Sequence, residues 1–228
     1  MTMKGCVGVP RRKAMPRLTT RGMAAAVASL ALLLGAGGVA AQGKAQKLSK
    51  KLVERAEETL KRIEEAEKQL EKVVDRYGKL MDANKAKDRI QENEKVADDA
   101  ENLEERARDV RKKSGDMEKE ASKFFSEWQK GLEEIKDAEL RALSRERLTE
   151  TQEGYGKIVA AGRASADQYD AFVTTLGNQL KYLEVDSSDE AVSKLKSSNQ
   201  DLRGEAKELQ SRVKGLKAEI KSYVAALK

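Results

Sequence analysis

From Gln42 to the C-terminus the chain contains no histidine, no proline and no cysteine. Each absence removes a class of chemistry. Without histidine there are no Ser-His or Cys-His nucleophile pairs, and no Glu-x-x-His di-metal site of the kind built inside helical bundles. Without cysteine, no disulfide can form within this body, and cysteine usage carries no information on redox compartment. Without proline, no helix break is forced. Aromatic residues are scarce, nine in the 187 residues from 42 to 228, which is thin for a globular core. Strand signals are missing too.

A charge field of one sign is also lacking. The whole chain carries a net charge of +6 with a pI near 9.2, which at first suggests a binder of phosphate. Of the 45 Lys and Arg, six (Lys4, Arg11, Arg12, Lys13, Arg17 and Arg21) lie in residues 1–41, which hold no acid. That leaves 39 bases against 39 acids in residues 42–228, with the two signs interleaved. A neutral body lacks the basic face that nucleic acid requires.

The leader differs from everything after it. A basic stretch precedes the apolar run Met23–Leu34, and small residues follow, the order of a secretory signal peptide. Val39-Ala40-Ala41 places small side chains at −3 and −1, predicting cleavage between Ala41 and Gln42 or one residue earlier. Translation from Met15 instead of Met1 would give a leader of ordinary length. The competing reading is a retained anchor, since Gly22–Gly43 is uncharged over 22 residues, enough to span a bilayer. Gly35, Gly37 and Gly38 argue against it by interrupting the run just before the small-residue site. The only cysteine, Cys6, lies ahead of the apolar run, on the wrong side for a lipid anchor.

After the leader, apolar residues return every three or four positions. Ile63, Ala66, Leu70, Val73, Tyr77 and Leu80 keep this rhythm, as do Ala100, Leu103, Ala107, Val110, Ser114, Met117, Ala121, Phe124 and Trp128. Two further sets run from Leu148 to Leu176 and from Leu195 to Leu227, the latter interrupted by Asn199, a register-setting polar position. A mean spacing of 3.5 keeps one stripe turned toward a partner helix. With 37% charged residues and a mean hydropathy of −0.70, the pattern predicts an all-α fold. It is an elongated antiparallel helical bundle or coiled coil of about four long helices, approximately 44–82, 86–136, 140–184 and 188–227. Breaks are expected at Met81–Lys85, near Asp137, and at Ser187, which with Glu190 forms a capping box. The domain plan is a cleavable leader over 1–41 and a single helical domain over 42–228.

Candidate sites are few. Phe124, Phe125 and Trp128 form the densest aromatic cluster, read as a core layer or, more sharply, as a patch that docks a partner. Gly154, Gly156 and Gly162 sit inside a helical pattern, marking close packing or a hinge. Asp98-Asp99 and Glu104-Glu105 are read as a solvated face. No catalytic, cofactor-binding or metal-ligating residue is expected, and the chain is not read as an enzyme.

The stretch from Phe124 to Leu183 resembles a bacterial family catalogued as domain of unknown function 2959. The resemblance rests on Phe125, Glu127, Trp128, Ala138, Leu140, Arg141, Ser144, Leu148, Thr151 and Tyr155, and then on Phe172, Leu176, Leu180, Tyr182 and Leu183. It covers most of residues 47–228 and implies an exported, helical, coiled-coil protein without assigned catalytic residues. Members of that family often look like lipoproteins, and this chain departs from them in lacking the lipidation cysteine.

These readings converge on an exported protein of the periplasm or cell envelope, acting as a scaffold or spacer through its helix seams. Protein partners or a second copy would meet those seams, with membrane contact only through an uncleaved leader. The alternative is a chaperone-like or lipid-carrying binding module.

Overall fold

A stripe of apolar residues on an otherwise charged helix is stable only when a neighbour covers it. The computed structural model describes residues 39–228, with side chains from 44 onward except those of 197–201. The leader up to residue 38 therefore lies outside the described residues, as do the side chains of Ala41, Gln42 and Asn199. The described elements are α1 (Val39–Asp82), α2 (Ala86–Glu134), α3 (Ala138–Val185) and α4 (Asp189–Leu227), and no strand occurs among the described residues. Helices of 39 to 49 residues are roughly 60–75 Å long at about 1.5 Å per residue.

Local chemistry decides where each helix stops. Between α2 and α3, Asp137 caps the new helix, its carboxylate accepting from the amides of Glu139 and Leu140, each at 2.9 Å. This cap sets the start of α3 at Ala138, ahead of the expected 140, and α2 ends at Glu134 rather than 136. Before α4, the expected capping box on Ser187 and Glu190 does not form. Asp186 accepts from the Ser188 amide at 3.0 Å, and the Ser188 hydroxyl accepts from Ala191 N at 3.2 Å. The cap is thus one residue later than expected, because the Asp186 carboxylate turns the chain there. At the other end α1 begins at Val39, ahead of the expected 44, and passes through Ala41 and Gln42.

Each helix packs on the next in the chain, and α4 returns to α1. Side chains from these helices meet around two apolar cores. One, near the α1–α2 and α3–α4 connections, is built on Val73, Tyr77, Leu80, Phe172, Leu176 and Leu209. The other, toward the α2–α3 connection, is built on Leu52, Met117, Phe124, Ile158, Ile220 and Tyr223. Val213 packs against both.

Polar ties fix the register. The Tyr77 hydroxyl donates to Gln179 inside the first core, and Arg89 donates to Asp189, joining the start of α2 to the start of α4. Asp99 corrects the expected solvated face. Asp98, Glu104 and Glu105 are exposed, but Asp99 is buried, with Lys72 Nζ at 2.6 Å and Arg76 Nε at 2.7 Å. Its backbone carbonyl accepts from Gln69 at 2.8 Å. The reason lies in its spacing, three residues after Val96 and four before Leu103, which puts it on the buried seam. A carboxylate there is tolerable only with cations of α1 beside it.

Truncating Phe172, which is fully buried, to alanine should cost about 3–5 kcal/mol, measured by urea unfolding. Ile90→Ala, at a half-exposed position, should change stability by less than about 0.5 kcal/mol.

Candidate functional site

The two cores do not meet cleanly. At the level between them the seams carry small residues: Ala66 on α1, Ala107, Ser114 and Gly115 on α2, and Gly162, Ser165 and Ala166 on α3. Helices held at the spacing set by large side chains above and below leave a space where the side chains are small. The result is a cavity of about 410 Å³, walled also by Ile63, Leu70, Val110, Met117, Ile158 and Leu216, so that every helix contributes. A Cβ added to Gly115 or Gly162 would meet nothing within 4 Å. The wall is more apolar than its composition suggests. Thr59 and Ser165 donate their hydroxyl protons to carbonyls one turn back, at Arg55 and Ala161, both at 2.8 Å.

The exposed lining residues, Arg111, Glu118 and Arg163, all belong to α2 and α3. The cavity therefore opens between those two helices. Two cross-helix contacts bracket the opening. At one end Arg111 donates to Asp170 at 2.9 Å and lies 5.6 Å from the centre of the Tyr169 ring. At the other the Phe125 and Tyr155 rings meet edge-on at 5.9 Å. Fourteen residues of α2 separate Arg111 from Phe125, about 21 Å of helix.

Two tyrosines line the cavity. Burial pushes the Tyr155 and Tyr169 phenols up to about 12, with Glu118 and Glu104 respectively adding to the effect. The Tyr169 hydroxyl is buried and has no hydrogen-bond partner among the described residues.

The residues singled out in the sequence fall around this space. Phe124 is 1% exposed and presents no surface to a partner. Phe125 and Trp128 are half-buried, packed on Phe124 with ring centres at 5.5 and 5.4 Å, and the Trp128 indole donates to Ser144 at 3.1 Å. Tyr155 extends the row to Tyr223 at 5.9 Å. These rings form one end of the cavity's surroundings. The glycines differ among themselves. A Cβ on Gly154 would come within 3.3 Å of the Tyr223 ring, which is close packing, whereas Gly156 and Gly162 border open space. The helix α3 runs without interruption through all of them. Sequence reasoning missed Glu118, Arg163 and Tyr169 as a group. The available signal was the run of small seam residues Ala66, Ala107, Ser114, Gly162 and Ser165.

Among the described residues no group of three or more His, Cys, Asp or Glu side chains could hold a metal ion. No described helix is long and apolar enough to cross a membrane.

A family model described as a protein of unknown function, DUF2959, matches residues 43–227. The chain belongs to that family. The match takes in the whole cavity and both cores, so the site is part of the family's domain. No curated protein and no solved structure matches the chain.

Gly156→Ala should stabilise the protein by about 1 kcal/mol, the helix-propensity difference at a site with free space. Gly154→Ala should gain less or lose stability, because Tyr223 must shift; chemical unfolding of both variants measures the difference. The phenols predict an alkaline limit. A group whose pKa is higher folded than unfolded contributes stability that is complete below its ordinary value of 10 and falls as pH rises. Urea midpoints should therefore drop between pH 10 and about 12. The double variant Tyr155→Phe, Tyr169→Phe should lose midpoint more gently over that range, separating the phenols from lysine titration. An equal slope in both proteins would contradict the assignment.

Proposed function

We propose that this protein is an exported, elongated antiparallel coiled-coil bundle of four helices that serves as a binding module of the cell envelope, holding an apolar molecule within the bundle. The observation that supports this reading is the cavity between the cores. The wall is largely apolar, since the hydroxyls of Thr59 and Ser165 are already bonded to their own helices, so an apolar guest would cover surface that otherwise meets water through the opening. The function is non-catalytic, and the body's balanced charge gives nucleic acid no field to bind.

A second reading, a scaffold or spacer, is favoured by helices of some 60–75 Å tied along their length. Lys44 reaches Glu127 at 2.7 Å near the start of α1, Lys113 reaches Glu58 at 2.9 Å near its middle, and Lys72 reaches Asp99 at 2.6 Å toward its end. Either role fits an exported protein whose leader is removed after Ala41, with partners among envelope proteins.

An uncharged apolar dye such as N-phenyl-1-naphthylamine separates the two readings. The native protein should bind roughly one dye per chain, and the paired variant Gly115→Leu, Gly162→Leu should bind it at least tenfold more weakly. Filling the space should also raise stability by roughly 1–3 kcal/mol, from helix propensity and added burial. No dye uptake, with no gain in stability on filling, would leave the scaffold as the better account.

A further inference from the structure

We infer that the occupant is a single-chain zwitterionic amphiphile of the lysophosphatidylethanolamine type, its chain inside the cavity and its headgroup held between Glu118 and Arg163. This rests on the reading of the cavity as a binding site, and adds the chemistry of its ligand.

The cavity, about 410 Å³ and walled largely by apolar side chains, suits an extended acyl chain. The opening runs along the helices for about 21 Å, so an extended chain can enter from the side, between α2 and α3.

The rim selects the head. Arg111 pairs with Asp170 and so fixes the level of α2 against α3. Glu118 lies seven residues beyond Arg111, and Arg163 seven before Asp170. Seven residues are close to two helical turns, and the two helices run in opposite senses there. Glu118 and Arg163 therefore sit at one level on opposite sides of the opening, and both line the cavity. The pair two turns away, Arg111 and Asp170, forms an ion pair, and this one does not. Among the described residues neither Glu118 nor Arg163 has an ion-pair partner, and Arg163 has no hydrogen bond. Gly115 and Gly162, beside them, put no side chain across the gap.

A carboxylate and a guanidinium facing each other with space between them complement a head that carries both signs. The ammonium goes to Glu118 and the phosphate to Arg163, where the guanidinium fork suits phosphate oxygens. Arg111 is already engaged by Asp170 and Tyr169, so the rim offers one free cation and one free anion rather than a net charge.

The test titrates the full-length protein with three lipids of one 14-carbon chain, followed by calorimetry below their micelle concentrations. They are lysophosphatidylethanolamine, lysophosphatidylglycerol, which is anionic, and monoacylglycerol, which is uncharged. The zwitterion should bind at least tenfold tighter than either of the others. Arg163→Gln should weaken it about tenfold, and Glu118→Gln should reduce its advantage over lysophosphatidylglycerol by a similar factor. Glu118→Asp should restore part of that preference. Both residues are exposed, and a thermal melt verifies that each variant folds. Equal binding of the zwitterion and monoacylglycerol would overturn the headgroup assignment and leave the cavity as an apolar site. Tighter binding of lysophosphatidylglycerol would overturn it in favour of an anionic head. Binding that survives Gly115→Leu, Gly162→Leu would place the lipid elsewhere and defeat the inference. If no lipid binds and no apolar dye binds either, the reading of the cavity as a site falls with it.

Discussion

Everything in this structure depends on covering narrow apolar seams on long, highly charged helices. The seams are only a few residues wide, and the rest of each helix surface is Lys, Glu, Asp and Arg. No helix can bury its stripe alone. Large side chains such as Tyr77, Phe172, Leu176, Phe124 and Ile220 fill the space between helices at two levels, and these levels set how far apart the helices stand. Once that spacing exists, a level with alanine, serine and glycine cannot close it. The cavity is the consequence of two well-filled cores with a poorly filled layer between them.

Polar groups act on register more than on strength. Surface ion pairs such as Arg55–Glu58 at 2.9 Å and Arg212–Glu208 at 2.5 Å are exposed, and pairs of that kind contribute about 0–1 kcal/mol each. The buried groups are more selective. Asp99 needs Lys72 and Arg76 beside it, and Gln179 needs the Tyr77 hydroxyl. Sliding α2 or α3 by one turn would strand a buried carboxylate or amide without its partner, which costs far more than a lost surface pair. The same register sets Arg111 of α2 against Asp170 of α3 beside the cavity.

Much of this was legible in the chain. The seam from Ile63 to Leu80 is buried except for Ala66, and the seam from Leu148 to Leu176 buries its large aliphatic and Phe positions, because spacing alone decides which face turns inward. The turn at Asp137 was visible as a break in rhythm. The cap at Ser188 was misplaced by one residue, since Ser187 and Ser188 are equivalent as a string and only the Asp186 hydrogen bond distinguishes them. Asp99 was misread because an acidic pair looks solvated until the neighbouring helix supplies its cations.

By itself the sequence determined the helical class, the seam positions and the absence of histidine and cysteine chemistry in the body, since each follows from local composition and period. It also held the family's motifs. Only the tertiary structure decided that the small residues of the middle layer border space rather than bring helices together, and that a Cβ at Gly154 would meet Tyr223 while one at Gly162 would meet nothing. Those facts depend on how far apart the helices stand and on their relative register. Both are set jointly by side chains far apart in the chain, and no local pattern encodes them.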